Sequence, residues 1–192
     1  MSISKSSSAI KRITTPLLRS VTHEIECGDS ILLSGEIYTA RDAAHMRMFD
    51  LLKQGNQLPF PIENAIIYYV GPTPAMPGHA IGSAGPTTSY RMDCIAPLLI
   101  EHGLTGMIGK GTRSPEVIDA MQTHGAIYFG AIGGAGALIA QCVKSSEIVA
   151  YEDLGAEAIR KLVVEDMPLT VIIDSSGNNL YEKGRKEYLK SI

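Results

Sequence analysis

Apolar positions along this chain follow two periods. AIIYYV (65–70) is continuously apolar over strand length, the pattern of a strand covered on both faces. TGMIG (105–109) and AIYFGAI (126–132) read the same way. Between them, RMDCIAPLLIEHG and SPEVIDAMQTHG have helical spacing, and the second opens on Ser114-Pro115, an N-cap followed by a proline at the first helical position. Upstream, Val21 to Glu26 and Ile31 to Tyr38 are β-like runs joined by CGDS. Thr39 then reads as the N-cap of a helix (40–55) whose apolar residues Ala44, Met48, Leu51 and Leu52 share a face and which Gly55 stops. Downstream the pattern predicts a strand SEIVAY, a helix GAEAIRKL and a hairpin at SSGN between VIID and LYE. Strands alternating with helices from 65 to 160 argue an α/β architecture with a largely parallel sheet, and the β-rich opening makes it mixed.

Composition narrows the class. The 192 residues, 45% hydrophobic and 19% charged, can bury a full core, which excludes a disordered chain. Residues 1–20, Ser-rich and basic, are expected as an N-terminal arm, and 21–192 as one domain. Lys+Arg 17 against Asp+Glu 20 gives a net charge of -3, which argues against nucleic acid as a partner. Cys27, Cys94 and Cys142 are dispersed, form no CxxC pair and suit a reducing, cytoplasmic compartment. The N-terminus has no apolar stretch behind its scattered positive charge, so no targeting segment is expected there. The most membrane-like stretch, Ala126 to Val143, is broken by glycines and reads as a buried strand, a turn and a helix start, so no membrane is expected as a partner.

Candidate chemistry lies near turns. The segment GPTPAMPGHAIGSAGPTTSYRMD (71–93) has four prolines and four glycines after a buried strand, and long loops of this kind are usually functional. If a helix starts near Thr88, Thr87 and Thr88 sit at its anion-favouring end and Arg91 reaches back to the same anion. The alternative is a threonine cap with Arg91 and Asp93 on a solvated face. Lys110, between Gly109 and Gly111 at a strand's carboxyl end, either enters a shared site or is an exposed turn lysine. Arg41 in TARD repeats the pattern of a hydroxyl and an arginine at a helix start, with a cap plus an exposed charge as the alternative. His45, a turn after Arg41, neighbours it in a structural role. Gly133-Gly134 suits either backbone approach to a ligand or helix–strand packing. No histidine spacing, carboxylate pair or Ser-His-Asp set indicates a metal or hydrolytic site. The residues alone indicate a site for a small di-acid or phosphate.

Five motifs in order, TARDAAH (39–45), GPTTSYRMD (85–93), GKGTRS (109–114), AIGGAGALIA (131–140) and GAEAIRKLVVEDMP (155–168), carry a resemblance. Over about residues 20–180 the chain resembles the beta subunit, or C-terminal domain, of class I iron–sulfur fumarate hydratases and of the related L-tartrate dehydratases. The resemblance implies a swivelling β/β/α three-layer domain with a mixed sheet. It implies interconversion of (S)-malate with fumarate and water, or the corresponding reaction of tartrate, in a hetero-oligomer with an alpha subunit. That subunit carries a [4Fe–4S] cluster, a Lewis acid on the departing hydroxyl, and this chain binds none alone. By motif, the resemblance makes Thr87 the base for the C3 proton. Arg41, Arg91 and Lys110 bind the substrate carboxylates, with Thr88 beside them. A threonine is a poor base unless ionised, and Arg91 and Lys110 are the cations that would favour ionisation. A dicarboxylate-binding module without catalysis is the alternative from another functional class.

Overall fold

The computed structural model describes residues 10–132 and 134–190. Seven strands run β1 Lys11–Thr14, β2 Ser30–Thr39, β3 Ile66–Tyr68, β4 Gly106–Gly109, β5 Ile127–Gly130, β6 Val143–Ala150 and β7 Ile159–Ile173. The helices are α1 Arg19–Thr22, α2 Asp42–Lys53, α3 Ala96–Glu101, α4 Pro115–His124, α5 Gly136–Gln141 and α6 Leu180–Lys190. Two 3-10 turns lie at Ser89–Met92 and Glu152–Glu157.

The strands form one mixed sheet in the order β1-β2-β3-β4-β5-β7-β6. β1 to β5 are mutually parallel, and β7 runs antiparallel to β2, β5 and β6. Because β7 pairs with both β5 and β2, the strands β2-β3-β4-β5-β7 close into a ring. The α/β class with a mixed sheet is therefore what the chain forms.

Alternation along the strands feeds two cores. Ile66, Tyr68, Ile108, Phe129, Leu162 and Val164 belong to one. Ile67, Tyr69, Met107 and Tyr128 belong to the other, where Met48 of α2, Leu99 of α3 and Met121 of α4 pack on them. Full burial of such a side chain stabilises by about 1.5–3 kcal/mol. α4 starts as expected, with Ser114 as N-cap and Pro115 at N1, and stops at left-handed Gly125.

Four local expectations are corrected. Val21–Glu26 is not a strand: residues 19–22 form a helical turn. GAEAIRKL is not a helix, because Gly155 breaks the 3-10 turn (φ 59°, ψ -114°) and Ile159 onward is β7. Its good helix formers lose to pairing with β2 and β6, a tertiary override of propensity. The hairpin expected at SSGN shrinks to one antiparallel bridge, Ile173 with Asn179: the Asp174 carboxylate accepts from the Ser176 and Asn178 amides to close the turn, and LYE begins α6 instead of a second strand. Thr39 caps nothing: it ends β2, donates its hydroxyl to the Ala158 carbonyl (3.2 Å) and accepts from the Arg160 amide (3.0 Å).

Of the expected arm, residues 1–9 lie outside the described residues, and Lys11–Thr14 is strand β1 on β2, with Ile13 and Leu17 buried. No helix among the described residues is long and apolar enough to cross a membrane.

Candidate functional site

The parallel strands β2, β3 and β4 are neighbours, so their carboxyl ends share one edge of the sheet. Adjacent strands lie about 4.8 Å apart, so three strand ends span about 10 Å, the scale of a small di-acid. Arg41 follows β2, and Lys110 follows β4. The segment carrying Thr87 and Thr88 is stitched between β3 and β4. The Thr87 amide donates to the Tyr69 carbonyl (2.7 Å), the Ser89 amide donates to the Lys110 carbonyl (2.9 Å), and Thr88 forms a parallel bridge with Lys110. Gly109 permits this stitch, since a Cβ there would lie 2.0 Å from Ser89 Oγ.

Asp42 gathers the arginines. Arg91 Nε lies 2.8 Å from Asp42 Oδ1 in an ion pair, and Arg41 Nη2 lies 3.8 Å from Asp42 Oδ2 and 3.2 Å from Glu157 Oε1. The Arg91 terminal nitrogens make no hydrogen bond among the described residues, so they keep donors to offer an anion. Lys110 is exposed and makes no ion pair among the described residues. The edge thus joins Arg41 to Arg91 through one carboxylate, and Thr88 to Lys110 through the backbone.

The helix expected near Thr88 is only the four-residue 3-10 turn Ser89–Met92, and Thr88 makes no side-chain capping bond. A helix dipole therefore contributes little there, and the positive charge at this edge is that of Arg41, Arg91 and Lys110. Arg41 occupies the N-cap position of α2 but also makes no side-chain cap bond.

Beneath this edge lies a buried layer that sequence reasoning missed. Arg113, with a fully buried side chain, donates from Nε to Asp93 Oδ1 at 2.7 Å, and Asp93 Oδ2 accepts from the Ser114 amide at 2.6 Å. The guanidinium lies 5.3 Å from the Tyr69 ring centroid and 5.0 Å from that of Tyr128. Burial acts to lower the Arg113 pKa, but Tyr69 and Asp93 outweigh it and hold the group charged. Tyr128 Oη donates to the Gly111 carbonyl (3.0 Å) and meets Ser89 Oγ at 2.9 Å. Burial pushes the Tyr128 phenol up, so it stays protonated. Asp93 and Arg113 stand inside quoted motifs, but nothing in their spacing marks them as a pair.

His45 is fully buried and sits edge-on to Tyr69. Its Nδ1 meets the Arg41 carbonyl at 2.9 Å, and a carbonyl only accepts, so Nδ1 carries the proton. Burial depresses its pKa to about 4. The structural role expected of it holds. Gly133 lies outside the described residues, and Gly134 is left-handed with open space about it.

The cysteines do not converge on a cluster site. Among the described residues no three His, Cys, Asp or Glu gather to hold a metal ion. Burial raises the Cys27 and Cys142 thiols, away from the thiolate form an iron–sulfur cluster needs, and Cys94 is exposed alone. The donor set of these residues does not fit such a cluster.

Residues 3–184 match the family model described as Fumarase C-terminus. The chain is 44% identical over 153 residues to the anaerobic class I fumarate hydratase of Escherichia coli K12, covering 79% of this chain and 28% of that protein. It is 39% identical over 158 residues to fumarate hydratase 2 of Leishmania major, covering 81% of this chain and again 28% of the relative. It thus spans under a third of the length of these fumarate hydratases. A protein of Methanocaldococcus jannaschii, provisionally named L(+)-tartrate dehydratase subunit beta, is 35% identical over 175 residues, covering 88% of this chain and 90% of that protein. With the family model spanning nearly the whole chain, this protein belongs to the fumarase C-terminus family.

Proposed function

We propose that this chain is the beta component of a two-component hydro-lyase that interconverts (S)-malate with fumarate and water. The observation that carries the reading is the convergence of Arg41, Arg91 and Lys110 with Thr87 and Thr88 on one sheet edge, in a chain of this family. The near full-length match to a beta subunit supports the two-component form, with an alpha-type partner completing the site and carrying the iron–sulfur cluster. The swivelling β/β/α arrangement belongs to this reading, supported by helices α2, α3 and α4 on one face of the sheet.

In this scheme the cations hold the two substrate carboxylates. As the C3 proton leaves, charge builds on the adjacent carboxylate, and fixed cations stabilise that state more than the ground state. Thr87, as its alkoxide, takes the C3 proton; the C–H electrons become the double bond, and the C2 hydroxyl departs on the partner's side. Asp42 pairs with Arg91 on its Nε side, and the terminal nitrogens, which make no hydrogen bond among the described residues, supply the donors for a carboxylate. A second reading, the beta component of L-tartrate dehydratase, draws on the match that covers 90% of that relative. The two differ in substrate and share the same cations.

The test is co-expression with an alpha-type partner, anaerobic reconstitution with iron and sulfide, and assays on malate, fumarate and tartrate. Turnover of malate and fumarate is expected, and turnover of tartrate alone selects the second reading. In the active complex Thr87→Ala should lower kcat by about 10²–10⁴-fold with subunit association intact. Arg41→Ala and Lys110→Ala should each weaken substrate binding by about 1.5–3 kcal/mol. Failure to turn over any of the three substrates overturns the enzyme reading. Full kcat in Thr87→Ala removes the assignment of the base.

A further inference from the structure

Arg160, the second residue of β7, lies where β2 ends, with its amide on Thr39 Oγ1 at 3.0 Å. Alternation along β7 puts it on the face of Leu162 and Val164, whose core also takes Ile81 and Ala84 from the proline-rich loop. Its side chain is therefore directed under that loop, away from α2. There it lines a cavity of about 300 Å³ with Pro72, Thr73, Ala80, Ile81 and Ala156 among its neighbours.

The guanidinium is unmatched. Its Nε is buried without an acceptor, and it makes no ion pair among the described residues. Arg41 and Arg113, with side chains 22% and 0% exposed, each hold a carboxylate, although Arg41 Nε too is buried without an acceptor. Leaving a buried donor unpaired is costly, so such a group calls for an acceptor. Thr73 adds a donor: its Oγ1 accepts from the Ser83 amide at 2.7 Å, which leaves its own proton to give. The remaining walls are proline, alanine, isoleucine and Gly155, with no further polar side chain.

We propose that this cavity is a second carboxylate-binding site, taking the anion of a small aliphatic acid with its carboxylate on Arg160 and Thr73 and its hydrocarbon body on Pro72 and Ile81. A single guanidinium with one hydroxyl suits a carboxylate, whereas phosphate calls for more donors than these walls supply. Arg41 is not among the residues that line the cavity, but the two sites adjoin: the carbonyl of Ala156, in its wall, and Arg41 Nη1 would each stand 3.0 Å from a Cβ on Gly71. The proposal does not depend on the hydro-lyase reading.

Calorimetric titration of the full chain tests it, with succinate as probe because it has no hydroxyl or double bond to react. In an Arg41→Ala/Lys110→Ala background, which removes the cations of the first site, succinate should still bind once per chain. Adding Arg160→Gln should weaken that binding by about 10–100-fold. Ala80→Leu, which fills the cavity and leaves the guanidinium in place, should do the same and covers a misfolded Arg160→Gln. No binding in the background, or binding indifferent to both changes, overturns the proposal. Tighter binding of inorganic phosphate than of succinate overturns the carboxylate class. A complex that fails to turn over malate while this binding persists refutes only the proposed reaction.

Discussion

Among single residues, His45 couples the site to pH most directly. Its Nδ1–H holds the carbonyl of Arg41, and its Nε2 is buried with no partner, so the neutral ring is the form the core accepts. Burial is the main reason its pKa falls to about 4; nearby Arg113 adds to the fall, while the Arg41 carbonyl and Asp42 oppose it. The unfolded chain takes up the proton near the ordinary histidine value of about 6.5, and the folded chain does not until about 4. As pH falls through that window the unfolded state binds more protons, so stability present at neutral pH is lost. Between pH 7 and pH 4 the loss assigned to His45 is about 3 kcal/mol. Denaturant unfolding of the chain and of His45→Gln across this range isolates it: the two stabilities should converge toward pH 4, and parallel curves would refute the assignment. That His45 lies a turn after Arg41 is legible in TARDAAH; its hold on the Arg41 carbonyl is not, because that contact depends on where β2 ends.

At the scale of elements, two loops are fastened by one buried ion pair. Asp93 closes the segment that carries Thr87, Thr88 and Arg91, while Arg113 follows the turn that carries Lys110. Their contact, with Ser114 on the second carboxylate oxygen, sets the register of the Thr88–Lys110 bridge above it. Removing one member strands the other's charge, at a cost of about 3–5 kcal/mol. Arg113→Met should therefore destabilise the chain by that amount. Arg113→Met with Asp93→Asn should destabilise it less than Arg113→Met alone, since the stranded charge is gone and the amide oxygen still accepts from Ser114. Thermal unfolding of the three variants decides this; a double variant no more stable than Arg113→Met shows that lost packing, not stranded charge, sets the cost. The sequence made β3, β4, β5 and α4 legible because each carries its own period and start signal. It could not reveal this pair, because opposite charges twenty residues apart are common and only the adjacency of β3 and β4 brings these two together.

At the scale of the whole molecule, β7 decides whether the sheet closes. It has β2 along one side and, on the other, β6 over its first six residues and β5 at its end. The sequence hid this because GAEAIRKL consists largely of helix formers and the partners that override them lie far away in the chain. The proline within β7 marks the logic. Pro168 faces Leu32 of β2, while the neighbours on the other side of β7 stop at Val164 and resume at Thr170, so its missing N–H falls where the second side is open. Val163 has no such freedom, with Glu36 of β2 on one side and Ser145 of β6 on the other. Val163→Pro removes a ladder hydrogen bond, leaves a carbonyl unpaired and should cost about 3 kcal/mol or more. Val149 is the control, since it falls at a register irregularity between Ile148 and Ala150 on the edge strand β6, where proline is tolerated. Circular dichroism melts should show Val149→Pro close to the parent and Val163→Pro melting far lower or not folding at all. Because β7 also aligns the ends of β2 and β5, Val163→Pro should lose succinate binding together with its fold, not ahead of it. Equal melting of the two variants would mean that the ring is held by β2 through β5 alone and that β7 merely lies against it.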